Sequence, residues 1–165
     1  MGLIIRSSSI HAAGCYTTTP IRKGARIVEY TGPRITKESA DAKYENSPTT
    51  YLFGVGNGDM VIDGHGTAMF LNHSCDPNCE TREIRGRIWI QALRDIAAGE
   101  ELTYDYHLYD GDEDEALCNC GQAACRGTMY APEEIARRKK LAQKTAKKSR
   151  HRKPAAHRQK TKAHE

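Results

Sequence analysis

Apolar residues in the first two thirds of the chain fall in short runs broken by Gly-rich turns, which is a β pattern. The run "ARIVEYTG" (25–32) carries branched and aromatic residues and stops at Gly32. "YLFGV" and "MVID" flank "GNGD", where Asn57-Gly58 is a strong hairpin signal. "REIRGRIWIQAL" reads as two strands around Arg85-Gly86, and "EELTYDY" (100–106) as a further strand after the turn "AAGE". Within residues 1–109 only "TKESADAKYEN" (36–46) has helical character, with Thr36 as its cap and an end near Asn46-Ser47-Pro48. The expected body is mainly β, built from small sheets. From Ala131 the chain changes: Pro132, Glu133 and Glu134 suit a first helical turn, and a helix is expected to about Lys148. Beyond it, Lys, Arg, His, Ala and Pro cannot bury a core, and disorder is expected.

With 165 residues there is room for one ordinary domain, and 38% hydrophobic with 28% charged residues is an ordinary globular composition. No apolar run of about 18 residues occurs, so no membrane span is expected. The apolar patch in "MGLIIRSSSIHAAGCYT" is too short for a signal-peptide core, and Arg6 breaks the myristoylation pattern. An intracellular, non-secreted location follows, in cytoplasm or nucleoid or in a nucleus. There, six cysteines point to metal binding or free thiols before disulfides. The net charge of +4 hides an asymmetry. Residues 131–165 carry 13 Lys or Arg against 3 Glu, or +10, and residues 1–130 carry 12 against 18 Asp or Glu, or −6. An acidic body with a basic tail implies two partners, or a tail that folds back on the body.

Cys118, Cys120 and Cys125 form C-x-C-x4-C, three thiolates that need a fourth ligand to close a tetrahedral zinc site. Cys75 and Cys79, in "FLNHSCDPNCE" (70–80), are both candidates for that ligand. Cys15, on an apparent strand, reads as core.

"FLNHSCDPN" followed by "GEELTYDY" and then "CNCGQAACRG" resembles the SET-domain protein-lysine methyltransferases with a post-SET zinc motif. "SSSIHAAGCYTTTPIRKGARIVEYTGPRIT" resembles the opening strands of the same family. The resemblance covers about residues 3–130. It implies a β-clip fold of small curled sheets, with a C-terminal pseudoknot in which the later segment passes under the preceding loop, an exception to the rule against threading. The implied layout is a SET domain over 1–109, a post-SET zinc segment over 110–130 and a basic tail over 131–165. The implied cofactors are S-adenosylmethionine and one structural zinc ion on Cys75, Cys118, Cys120 and Cys125. Ala13, Gly14, Cys15, Tyr51, Asn72 and His73 would contact the methyl donor. Tyr106 would be the catalytic tyrosine, Tyr104 would tune the number of methyl groups, and Tyr30 would line the lysine channel. One departure stands out: the family's G-x-G turn begins here with Ala12, which fits easily only at negative φ.

The chemistry suits these residue types. The attacking lysine must be neutral, although its free pKa is about 10.4, and a narrow dry channel beside a sulfonium disfavours the ammonium. Tyrosine rings wall such a channel, and their hydroxyls hydrogen-bond without a full charge. The expected activity is methylation of lysine on a basic, histone-like or other protein segment bound in extended form, stopping mainly at mono- or dimethylation. Asp110, Asp112, Glu113, Asp114 and Glu115 form either a solvated loop or a wall for that basic peptide, and Asp105 reads as a turn stabiliser. Two rival readings remain. One is a non-catalytic SET-like module. The other is a nucleic-acid-binding protein working through "ARRKK" and "AKKSRHRK" in the tail, whose mark would be salt-dependent binding without cofactor uptake.

Overall fold

The computed structural model describes residues 2–47, 50–56, 58–109 and 116–151, with the side chains of 148–151 excepted. Asn57, Pro48, the acidic run from Asp110 to Glu115 and the chain beyond His151 lie outside the described residues. Ten short strands form four small sheets, as the expected mainly β fold requires. Strands β1 (Leu3–Ser7) and β2 (Ala13–Thr17) pair antiparallel. Strands β3 (Arg26–Tyr30), β8 (Cys79–Ile84) and β9 (Arg87–Ala92) form a sheet in the order β3-β9-β8. Strands β4 (Arg34–Thr36), β5 (Leu52–Val55) and β6 (Met60–Asp63) form another in the order β4-β6-β5. The fourth joins β7 (Asn72–His73) and β10 (Thr103–Tyr104) in parallel.

Local chemistry explains most boundaries. Arg85 (φ 53°) and Gly86 (φ 73°) are both left-handed between the paired residues Ile84 and Arg87. That is the two-residue turn whose twist matches its flanking strands. Helix α1 (Lys37–Tyr44) starts where Thr36 Oγ1 accepts the Ser39 N–H at 3.2 Å. It buries only Ala40 and is held down by charge: the buried Asp63 carboxylate accepts from Lys43 Nζ and the Tyr44 hydroxyl.

The segment 100–106 differs from the expected continuous strand. Only Thr103–Tyr104 pairs as one, because the segment divides its hydrogen bonds among distant partners. The Leu102 N–H goes to the Cys15 carbonyl at 2.7 Å. The Thr103 N–H goes to Asn78 Oδ1 at 2.9 Å, and the Tyr106 N–H to His73 Nδ1 at 3.2 Å. Leu71, Ile90, Ile96 and Leu102, each at most 1% exposed, form the centre of the core, contributing roughly 1.5–3 kcal/mol apiece. Helix α2 (Pro132–His151) runs three residues past its expected end. Among the described residues, no helix is long and apolar enough to cross a membrane.

Candidate active site and metal centre

The site gathers around β7 and β10. The turn before β2 is closed by the Ser8 N–H on the Ala12 carbonyl at 3.2 Å and by the Ile10 N–H on Ser8 Oγ at 3.0 Å. Ala12 sits at φ 33°, in the left-handed region where an L side chain is strained. Asn72 Nδ2 reaches across to the Ala13 carbonyl at 3.0 Å and to Glu101 Oε1 at 2.8 Å. Glu101 Oε2 accepts from Ser8 Oγ at 3.0 Å and the Tyr16 hydroxyl at 2.8 Å. A Cβ on Gly14 would meet Glu101 Oε1 at 2.1 Å, so a side chain there would displace this carboxylate from its place.

Beside the turn lies an aromatic cluster. The Tyr104 and Tyr106 ring centroids are 4.8 Å apart, and Phe53 lies 6.4 Å from Tyr104 and 5.1 Å from Tyr30. The Tyr106 hydroxyl donates to the Leu71 carbonyl at 2.9 Å, and the Tyr30 hydroxyl to the Tyr51 carbonyl at 2.9 Å. The Tyr104 hydroxyl makes no hydrogen bond among the described residues. Burial pushes the phenols of Tyr30, Tyr104 and Tyr106 well up, and neighbouring phenols add to the shift. All three therefore stay protonated at neutral pH.

The second centre is sulfur. Cys75, Cys118, Cys120 and Cys125 bring their Sγ atoms within 4.8 Å of one another, and Cys75 and Cys118 are 3.7 Å apart. A tetrahedral zinc ion with Zn–S near 2.3 Å spaces its sulfurs by about 3.8 Å, so the cluster fits one. N–H groups point at the sulfurs, as outer partners of a thiolate site do: Arg126 N to Cys75 at 3.4 Å and Gly127 N to Cys125 at 3.4 Å. Burial pushes the Cys75 and Cys118 thiols up. It acts the same way on Cys120, but backbone N–H groups and the neighbouring thiols outweigh it and lower that thiol to about 6. Cys79 is excluded from the cluster; it is buried in the core, where desolvation and Cys15 push its thiol up to about 12.

His73 joins the two centres. Its Nδ1 accepts the Tyr106 N–H, so its proton sits on Nε2, 3.4 Å from Cys75 Sγ. The ring packs edge-on to Tyr106 at 5.4 Å, and burial lowers its pKa to about 4. Its ring is turned to the thiols, which leaves its backbone groups for contact with a cofactor. Cys15 likewise has a fully buried side chain and a carbonyl taken by Leu102, and it enters the site only as the neighbour of Ala13 and Gly14. Tyr51 is half-exposed at the rim, 6.2 Å from Phe70.

Three residues escaped the sequence reading. Glu101 lay inside a quoted motif, but nothing local marked which of two adjacent glutamates turns inward. Asn78 donates to the Glu101 carbonyl at 2.8 Å and pins loop 74–78 to the segment at 101–104. Arg126 grips Asp105 with two nitrogens at 2.7 and 2.9 Å. Asp105 does accept the His107 N–H, as a turn residue would, but it also ties the thiol knot to the tyrosine segment.

The SET domain family model matches residues 12–107. An H3 lysine-4 specific histone-lysine N-methyltransferase of Neurospora crassa is 42% identical over 136 residues, covering 74% of this chain and 10% of that protein. One of Eremothecium gossypii is 43% identical, covering 74% and 14%. A histone-lysine N-methyltransferase of Arabidopsis thaliana is 39% identical over 140 residues, covering 77% and 13%. The chain thus spans only a small part of the length of these relatives.

Proposed function

The chain belongs to the SET-domain family, and from that membership we propose that it is an S-adenosylmethionine-dependent protein-lysine methyltransferase acting on a basic, histone-like segment held in extended form. The observation that carries this reading is the pair of packed tyrosines, buried Tyr104 and half-buried Tyr106, whose segment is bonded both to the strand that braces the 11–14 turn and to His73 beside the thiol cluster. Acceptors dominate the polar atoms here: the Leu71 carbonyl takes the Tyr106 hydroxyl, and the Ala13 carbonyl and Glu101 carboxylate take the amide of Asn72, on the strand paired with Tyr104. Such a set suits a cationic donor carrying a sulfonium and an ammonium. The donor would supply the electrophilic methyl group, and Ala13, Gly14, Asn72, the backbone of His73 and Tyr51 would hold it.

The chain's own contribution is position and exclusion of water. Phenols that remain protonated serve as walls and hydrogen-bonding groups, not as bases, so the substrate amine loses its proton to solvent before it is enclosed. Tyr106, fixed on the Leu71 carbonyl, orients the reacting centre, Tyr30 lines the channel, and the hydroxyl of Tyr104 restrains the amine so that transfer stops mainly after one or two methyl groups. Zinc on Cys75, Cys118, Cys120 and Cys125 would hold residues 110–130 as a post-SET segment against the SET domain of 1–109. The tail of 131–165 contacts nucleic acid, and an intracellular site such as a nucleus or nucleoid follows from such substrates. The test is incubation with labelled S-adenosylmethionine and basic host proteins, read by peptide mass spectrometry, with Tyr106→Phe alongside. Label on lysine that falls at least tenfold in the variant is expected; cofactor binding without transfer to any protein would favour a non-catalytic module.

A further inference from the structure

Helix α2 leaves the body as a rod. Its root is fixed: Glu134, 4% exposed, pairs with Arg137 and Arg138, and the Arg138 guanidinium lies 4.0 Å above the Tyr130 ring. The Ala131 N–H adds a bond to the Leu108 carbonyl at 2.9 Å. Past that root every residue from Lys139 to Lys147 is exposed. Twenty residues of helix extend about 30 Å at 1.5 Å each, so lysines near its far end are carried away from the body. A continuous helix thereby keeps Lys140, Lys144 and Lys147 from folding back on the body.

The charges on the rod are ordered. At 100° per residue, Lys140, Lys144 and Lys147 fall within an arc of about 60°, centred roughly 130° from the side that carries Glu134 and Arg138, while Arg137 is engaged by Glu134 and Lys139 lies off the arc. No acidic residue follows Glu134 anywhere in the helix. Among the described residues its only large exposed apolar side chain is Leu141, which is no apolar face to sink into a bilayer. It has no aromatic residue for stacking on unpaired bases. A straight cationic stripe on a cylinder of about 10–12 Å fits the phosphate walls of a groove about 12 Å wide.

We propose that the Lys140-Lys144-Lys147 stripe of α2 is a sequence-independent grip on the phosphate backbone of duplex nucleic acid. This rests on the tail contact proposed above and names its surface and partner. The grip would hold the protein on a nucleic-acid-bound basic substrate while leaving transfer to a free peptide untouched.

The test compares the full chain with a Lys140→Gln, Lys144→Gln, Lys147→Gln variant. Gln keeps helix propensity, and the root contacts stay intact. Binding to a fluorescent duplex of mixed sequence is titrated between 50 and 200 mM salt. Three phosphate contacts contribute a slope of log K on log salt of about −2.7, or a loss on the order of 40-fold over that range, and the variant's slope should be shallower by that amount. Circular dichroism and transfer to a free basic peptide should match in the two proteins. Equal slopes would overturn the proposal, because other cations would then carry the binding, and so would tighter retention on phosphatidylserine vesicles than on duplex. A slope difference in a protein that transfers no methyl group would uphold this inference and defeat the catalytic one.

Discussion

Ala12→Gly should stabilise this protein, although glycine substitutions usually do the reverse. The left-handed φ of 33° costs an L residue roughly 1–2 kcal/mol, and glycine adopts it freely. Against that stands the greater freedom of glycine in the unfolded chain, about 0.4–1 kcal/mol. The difference favours the variant by about 0.5–1 kcal/mol, or some 2–3 °C in melting temperature for a domain of this size. The turn cannot relax by moving, because its hydrogen bonds to Ser8 and the grip of Asn72 on the Ala13 carbonyl fix both of its ends. A turn anchored at both ends keeps its φ on binding in this account, so the strain cancels and the dissociation constant for S-adenosylhomocysteine should stay within about twofold. Ala13→Gly is the control: Ala13 lies in β2 without a positive φ, and glycine there should cost about 0.5–1 kcal/mol. Scanning calorimetry with titration calorimetry reads all three quantities. An unchanged or lower melting temperature for Ala12→Gly would refute the strain argument, and a tenfold gain in affinity would show that the strain arises only in the bound state.

Cys118→Ser should lose metal, cofactor binding and activity together, since structural zinc can contribute around 10 kcal/mol or more; metal-free protein with full activity in native mass spectrometry would contradict this. Tyr104→Phe removes a hydroxyl with no hydrogen bond among the described residues, so melting should be almost unchanged while products shift towards higher methylation, as mass spectrometry of a labelled peptide would record. Asp105→Asn leaves the Arg126 guanidinium without its carboxylate, and a loss of about 1–3 kcal/mol, with faster release of metal to a chelator, is expected; metal release at the unaltered rate would sever the proposed link between knot and tyrosines.

What was legible in the sequence was what is decided locally. The Arg85-Gly86 hairpin and the Thr36 cap depend on residues within a few positions, and both formed where their chemistry placed them. The strand expected over 100–106 failed because its partners, Cys15, Asn78 and His73, come from three separate parts of the chain. The sign of φ at Ala12 was equally hidden; the sequence showed a methyl where the related turn has none, but only the anchoring of that turn from both sides sets the angle. Spacing alone supplied three thiols and left Cys75 and Cys79 as rivals for the fourth place. The structure separates them by direction: Cys79 opens β8 in register with Ala92 and turns into the core, while Cys75 stands in the loop that faces the knot. Alternation also explains Glu101. Of two adjacent acids, Glu100 turns outward to Arg94 and Glu101 turns to Asn72, as alternation at the isolated bridge of Glu101 to Tyr16 allows. The same alternation divides Asn72 from His73. One side chain braces the turn beside the proposed cofactor site and the other reaches the sulfurs, so two consecutive residues of one short strand link that turn to the thiol cluster.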